Sequence, residues 1–422
     1  MIAKDKGLMK TFMQLCFVEP RIFFDTVAWT YNPRKAGPKN VPFILRPKQV
    51  EAVVSLDDAF KAGEPRILDK SRDEGATELL MVYYASRWHL IPDINILVGS
   101  RKEDLVDTSC DIDHGIVTGD KRCLFYKLMY GINTLPMWWP VQYRKNDMRL
   151  VNLINGSSWV GESTNDSFSA GGRYSTVIID EFARVEPKVA QAIIENVPDT
   201  TDNFVINSTQ WIWGAGHPYN QLLSRYKVIT LGYESNPEKM VGAYRSPKPG
   251  VIVIDDIKYY HDLVPRIFKL NMKGQEIQHD AITEEASKYG ITFVSDGGTK
   301  NNHFPRSVWF DQRERNAPTF RDLAQNVLRL ASASADTFFN GDAINHMKAQ
   351  YTRMPDVTGE IQYDRDDGKI VNARFVDRVR RGKLCLWTNL WQGHLPQDHN
   401  YVISCDISRG TGSSNSVLTI LD

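Results

Sequence analysis

The chain has 422 residues, with 51 Lys and Arg balanced by 51 Asp and Glu and a hydrophobic fraction of 42%. That length predicts two or three domains with large buried cores, and the mix excludes a disordered, collagen-like or low-complexity protein. A formal net charge of zero argues against a small basic DNA-coating protein and leaves room for a local DNA-facing patch. Five cysteines (Cys16, Cys110, Cys123, Cys385 and Cys405) are scattered without a C-x-x-C pair, which supports neither a zinc knuckle nor a disulfide framework. No stretch approaches the roughly 20 apolar residues of a membrane span, and no apolar leader precedes a cleavage site. A soluble intracellular protein is expected.

Residues 1–40 carry short apolar segments that predict one or two helices, interrupted at Pro20, Pro33 and Pro38 and covering a neighbouring core. From 41 to about 240 helix and strand patterns alternate. A helix is expected over 46–60, where Val50, Val53 and Val54 share a face, and a short strand ending at Ile67-Leu68 leads through a polar loop to a second helix near Thr77. Further strands are expected at 94–100, 175–182, 203–210 and 226–233. Apolar runs this continuous suit parallel strands covered by helices on both faces, so an α/β core with a central parallel sheet is predicted.

Residues 241–345 are less regular, with strands expected at 250–257 and 290–297 and an amphipathic helix at 322–331. Residues 346–396 predict a hairpin over 360–375 around Asp366-Asp367-Gly368 and a second hairpin or connector over 384–395. The last segment, 397–422, reads as strand, Gly/Ser-rich turn and strand, the start of a domain that the chain does not complete.

The most informative stretch is Lys70-Ser71-Arg72-Asp73-Glu74-Gly75-Ala76-Thr77. A loop between a strand and a helix N-terminus aims backbone N–H groups at one point, which suits a phosphate. Compared with the pattern G-x-x-x-x-G-K-[ST], Gly75 and Thr77 fit, whereas Ala76 stands where the lysine belongs. Lys70 or Arg72 must then supply the cation. The strand Thr176-Val177-Ile178-Ile179 delivers Asp180 and Glu181, where Asp180 would hold Mg²⁺ through water and Glu181 would polarise an attacking water. Asn207-Ser208-Thr209-Gln210 follows the next apolar strand and offers side chains that could sense a γ-phosphate. Three such signals at successive strand ends point to a nucleotide-hydrolysing core.

In this order the motifs resemble those of the large terminase subunit, the DNA-packaging motor of tailed bacteriophages. Phe43 with Arg46-Pro47-x-Gln49 resembles the family's adenine-recognising motif, and Ser71-Arg72-x-x-Gly75-x-Thr77 its phosphate loop, with Ala76 as the departure. Asp180 and Glu181 match its Walker B acids, and Ser208-Thr209 its coupling motif. Arg173 in Ser169-Ala170-Gly171-Gly172-Arg173 resembles a Gly-Arg element that completes an ATP site, in the same or a neighbouring subunit. Trp309 through Gln325 resembles the late segment of the ATPase domain. Val402-Ile403-Ser404-Cys405-Asp406 with Gly410 and Gly412 resembles the opening of an RNase H-like nuclease.

The resemblance implies a RecA/ASCE-like P-loop ATPase core over 41–240, a lid within 241–345 and a linker subdomain over 346–396. It also implies ATP with Mg²⁺ held at Thr77 and Asp180, and Asp406 as one ligand of a two-metal (Mg²⁺ or Mn²⁺) nuclease site that 397–422 leaves incomplete. Its partners would be double-stranded DNA, a portal protein, a small terminase subunit and further copies in a ring, working in the host cytoplasm at the procapsid portal. The basic run Arg378, Arg380, Arg381 and Lys383 is a candidate DNA contact. The competing readings are a superfamily 2 helicase or translocase, which shares the upstream Gln motif, loop and acids, and an inactive scaffold suggested by Ala76.

Overall fold

The structure is a computed structural model that describes residues 5–33, 36–263, 275–297, 304–331, 350, 352–377, 384–388, 390, 394–395, 398, 400–406 and 417–421. The chain divides into two compact units, Met1–Gly341 and Asp342–Asp422.

The first unit is built on an eight-stranded sheet. In chain order its strands are β1 (Arg66–Lys70), β2 (Asn95–Ser100), β3 (Tyr143–Asn146), β4 (Arg149–Asn152), β5 (Ser158–Ser163), β6 (Thr176–Asp180), β7 (Phe204–Ser208) and β8 (Val228–Leu231). They lie side by side as β8-β1-β7-β6-β2-β5-β4-β3. The first six are parallel, and β4 and β3 extend the sheet as an antiparallel meander. The mainly parallel core is therefore as expected, and the meander is the addition. Polar residues on β3 and β4, such as Arg144, Lys145 and Arg149, break the apolar signal that marks the central strands.

Alternation along each strand explains why the central runs are apolar throughout. Leu68, Ile96, Val98, Ile178 and Val205 enter one core, and Ile67, Leu97, Val177, Ile179 and Ile206 enter the other. The first core is closed by helices α1 (Lys6–Val18), α2 (Pro20–Thr26), α3 (Pro47–Ala62), α4 (Ala76–Leu90) and α5 (Leu124–Asn133). The second is closed by α6 (Pro187–Asn196) and α7 (Pro218–Arg225). Pro20 opens α2 at its first turn, where a missing N–H costs nothing. The Arg87 guanidinium of α4 donates to the carbonyls of Cys16 and Phe17, which pins α1 to the core.

Beyond β8 the same unit carries a small antiparallel sheet of β9 (Tyr244–Arg245), β10 (Val251–Ile254) and β11 (Ile277–Gln278), with a separate core around Tyr244, Ile252, Tyr260 and Phe293. The expected strand at 290–297 is absent from this sheet: its backbone is irregular apart from one bridge between Asp296 and Pro249. Phe293 packs edge-on against Tyr244, so the apolar residues of that run fill a core instead of forming a ladder. The expected helix at 322–331 is also different. A short turn, Phe320–Leu323, passes into a π-helical segment, Ala324–Leu328, which stops at Arg329 in the left-handed region with φ 58°.

The second unit contains the expected hairpin, β12 (Val357–Asp366) with β13 (Lys369–Asp377). Both Asp367 and Gly368 have positive φ, as a tight hairpin turn requires. Leu384–Leu386 pairs with the start of β12. Val402–Asp406 pairs antiparallel with Val417–Leu421, and the Gly/Ser-rich turn between them lies outside the described residues. So do Arg378, Arg380, Arg381 and Lys383.

Candidate nucleotide-binding site

Helix α4 starts directly after β1, and the loop between them turns on Asp73 (φ 61°) and Gly75 (φ 70°). Gly75 is the N-cap of α4 and contributes no capping side chain, so the helix's first amide groups are left to a ligand. Ala76 is buried under the loop. It belongs to the core cluster closed by α4, so the first residue of the helix contributes packing and no cation.

On the neighbouring strand ends, Thr77 Oγ1 donates to the Asp180 carboxylate, 3.1 Å from each oxygen. Asn207 Nδ2 lies 2.6 Å from Asp180 Oδ1 and 3.2 Å from Thr77 Oγ1. Because β7 runs between β1 and β6, Asn207 stands beside both the loop and the acid pair. Its Oδ1 is buried with no hydrogen-bond partner among the described residues. Thr77 and Asp180 form a compact oxygen donor set of the kind a hard divalent cation takes.

Glu181 follows Asp180 in the left-handed region at φ 56°, a conformation costly for a residue with a Cβ. Its carboxylate takes Arg101 Nε at 3.2 Å, and Arg184 lies 4.0 Å away. Arg184 also covers the Trp211 ring at 3.8 Å. Burial pulls the Arg184 guanidinium below its ordinary range. Glu181 opposes that shift, while Arg72 and Arg101 add to it as like charges. Arg101 and Arg184 thus flank Glu181, with the Arg72 charge near Arg184, a positive field that suits a polyphosphate.

The side chain of Lys70, half-buried at the end of β1, has neither ion pair nor hydrogen bond among the described residues. Arg72 is tied at both ends: its amide donates to the Asn326 carbonyl at 2.7 Å, and its guanidinium reaches Asn326 Oδ1 at 3.3 Å. Of the two candidate cations, Lys70 is the unengaged one.

Several expected ligands turn out to support the loop from behind. Ser71 is fully buried; its hydroxyl donates to the Val327 carbonyl and accepts from the Tyr233 amide. The Gln49 side chain accepts from the Arg46 amide through Oε1 and donates to the Glu74 carbonyl through Nε2. Arg46 grips Glu74 through both carbonyl and carboxylate. Phe43 packs edge-on against Phe24 in the core. The Ser208 hydroxyl accepts from the Ala183 amide, linking the end of β7 to the turn after Glu181, and Thr209 beside it is buried.

Arg173 is not brought to this cluster. It is exposed and stands ahead of β6, at the opposite end of the strand from Asp180. Seven positions of extended chain amount to about 20 Å. The backbone of Asp406 ends its strand in the second unit, as expected.

The sequence motifs assign no role to the Asn207 contact with Asp180, to Arg101 and Arg184, or to the brace formed by Glu74, Lys239 and Asn236. Arg101 had a legible signal, a cation directly after the apolar run 94–100 and so at the same sheet end as Asp180.

No protein-family model and no curated protein matches the chain. Among solved structures it is similar to the HK97 bacteriophage large terminase, at 13% identity and a TM-score of 0.41, over 82% of this chain and 62% of that one. It is also similar to the large terminase of a thermophilic bacteriophage in complex with ADP (13%, TM-score 0.35, 46% of this chain and 47% of that one). A third is the large terminase ATPase domain of Thermus phage P74-26 (15%, TM-score 0.29, 42% and 78%). The chain spans 62% of the length of the HK97 protein.

Proposed function

We propose that this chain is the motor part of a phage large terminase subunit, an ATP hydrolase that drives double-stranded DNA into a procapsid. The observation that carries the hydrolase reading is the Thr77–Asp180–Asn207 group, set against the uncapped start of α4. The order of motifs in the sequence carries the step from hydrolase to packaging motor.

In this reading the loop amides and Lys70 hold the β- and γ-phosphates. Thr77 and Asp180 would hold Mg²⁺, which supplies charge neutralisation at the phosphate oxygens. Glu181 orients a water and accepts its proton as the water oxygen attacks the γ-phosphorus. The bond from that phosphorus to the β–γ bridging oxygen breaks, giving ADP and phosphate. Arg101 and Arg184 stabilise the charge on the transferring group, and Ser208 passes the change at the Glu181 turn into β7. Arg173, remote from its own site, would act on a neighbouring subunit's ATP in a ring. Portal and small terminase partners, and DNA cleavage through Asp406 with two divalent metals in a longer protein, complete the proposal.

The test is Mg²⁺-dependent ATP hydrolysis with parallel nucleotide binding. Glu181→Gln is expected to keep binding and lose turnover by about 10²–10⁴-fold, and Lys70→Ala to lose binding. A folded chain that binds no nucleotide overturns the proposal. Turnover indifferent to a portal or procapsid favours a translocase working without a capsid.

A further inference from the structure

The segment that follows Arg101 leaves the sheet, makes a two-residue-wide hairpin (Ile112–Asp113 with Ile116–Val117) and returns at α5. Cys110 and Cys123 close the base of this excursion. Both are fully buried, and their sulfur atoms lie 3.0 Å apart. Each is fixed by its backbone: the Cys110 amide donates to Asp107 Oδ1, and the Cys123 amide to the Asp120 carbonyl. Gly119, at φ 94°, lies directly against the Cys110 sulfur, where a Cβ would fall only 2.5 Å away. Any other residue at 119 would have to displace the Cys110 sulfur.

We propose that Cys110 and Cys123 are a modification site, a thiol pair that a hydroperoxide converts to an intramolecular disulfide. The sulfurs need to approach by only about 1 Å to bond. Cys123 is the nucleophile. It caps α5, and its sulfur accepts hydrogen bonds from Cys110 and from the Tyr126 amide at 3.4 Å. These, with Thr108 Oγ1 nearby, hold its thiol below the ordinary range, the hydrogen bond from Cys110 contributing most. The same contact holds the Cys110 thiol well above its ordinary range.

The Cys123 thiolate attacks one peroxide oxygen, the O–O bond breaks, and the departing hydroxide takes a proton. Cys123 is then a sulfenic acid. Cys110 attacks that sulfur, the S–O bond breaks, and the Cys110 proton leaves with hydroxide as water. Two thiols and one hydrogen peroxide give one disulfide and two waters. A small oxidant is required because both cysteines are fully buried.

Asp107 completes a group whose ligand atoms all lie within 4.8 Å, so a metal is the competing occupant. The carboxylate is already engaged. Its Oδ2 takes Lys145 Nζ at 2.6 Å and the Met148 amide at 3.0 Å, while Oδ1 takes the Cys110 amide. An ammonium this close opposes a second cation.

The experiment treats the whole chain with hydrogen peroxide, blocks remaining thiols and maps peptides without reduction. A Cys110–Cys123 linked peptide, short by two hydrogens, restored by dithiothreitol and formed faster in the folded chain than in urea, is expected. Cys110→Ser should leave Cys123 as a sulfenic acid that dimedone traps. Cross-links to Cys385 as abundant as the Cys110–Cys123 link, oxidation of Cys123 to sulfinic acid without linkage, or equal rates in folded and unfolded chain would overturn the proposal. So would stoichiometric zinc in the purified protein that blocks both thiols until it is chelated.

Discussion

The Ser71 hydroxyl donates to the Val327 carbonyl across 256 positions of sequence, at 2.5 Å. One residue on, the Arg72 amide donates to the Asn326 carbonyl. The loop between β1 and α4 is therefore held from behind by the π-helical segment Ala324–Leu328. A π-helical turn leaves carbonyls out of the ordinary helical ladder, and here two of them serve the loop.

Removing that hydroxyl should be felt in stability. Ser71→Ala leaves the Val327 carbonyl and the Tyr233 amide buried without their partner. An orphaned buried group costs about 1–3 kcal/mol, so the unfolding free energy should fall by that amount in a denaturant titration. A loss under about 0.3 kcal/mol would mean that the clamp holds without the serine.

Arg329 ends the same segment and bridges Asp69 Oδ2 and Glu234 Oε1, each at 2.9 Å. Burial raises the Asp69 carboxyl above its ordinary value, and Arg329 opposes that shift. Arg329→Ala strands a buried carboxylate and should cost about 3 kcal/mol at neutral pH. As pH falls Asp69 becomes neutral and no longer needs its partner, so the difference from wild type should shrink. Denaturant midpoints measured at two pH values check both the size and the trend.

The sheet was legible because burial on both faces leaves an unbroken apolar run, as in Thr176–Asp180. The antiparallel meander was not, since Arg144 and Arg149 on one face and Lys145 on the other interrupt its apolar pattern. Candidate residues were placed by their position after the strands, and Thr77 and Asp180 do meet. Which polar groups are engaged within the fold could not be read in the same way. Ser71, Arg46 and Gln49 are occupied by partners 25 or more positions away, Glu74 and Val327 among them. Such pairings are set by tertiary packing, and local pattern carries no trace of them.

Asn207 fixes the Asp180 carboxylate from the side at 2.6 Å, so it should matter for the metal more than for the nucleotide. Residues that orient a ligating carboxylate typically change metal affinity by about 10–100-fold when removed. Asn207→Ala is expected to raise the Mg²⁺ concentration for half-maximal ATP turnover by about 10-fold, with a smaller effect on metal-free nucleotide binding. Unchanged Mg²⁺ dependence would show that Asp180 is held by Thr77 alone.

Glu78 sits in the first turn of α4, one residue beyond Thr77, and burial pushes its carboxyl up from 4.5 to about 6 despite Lys127 and a hydrogen bond from Thr30. The folded protein therefore binds this proton more tightly than the unfolded chain does. The stabilisation is fully present below pH 4.5 and is lost as pH rises through about 6. It amounts to about 2 kcal/mol, by which wild type should lose stability relative to Glu78→Gln between pH 4.5 and 7. Glutamine keeps the shape and cannot ionise, so the difference between the two proteins isolates this one group. Parallel curves for the two proteins across that range would mean that Glu78 ionises as freely in the fold as outside it.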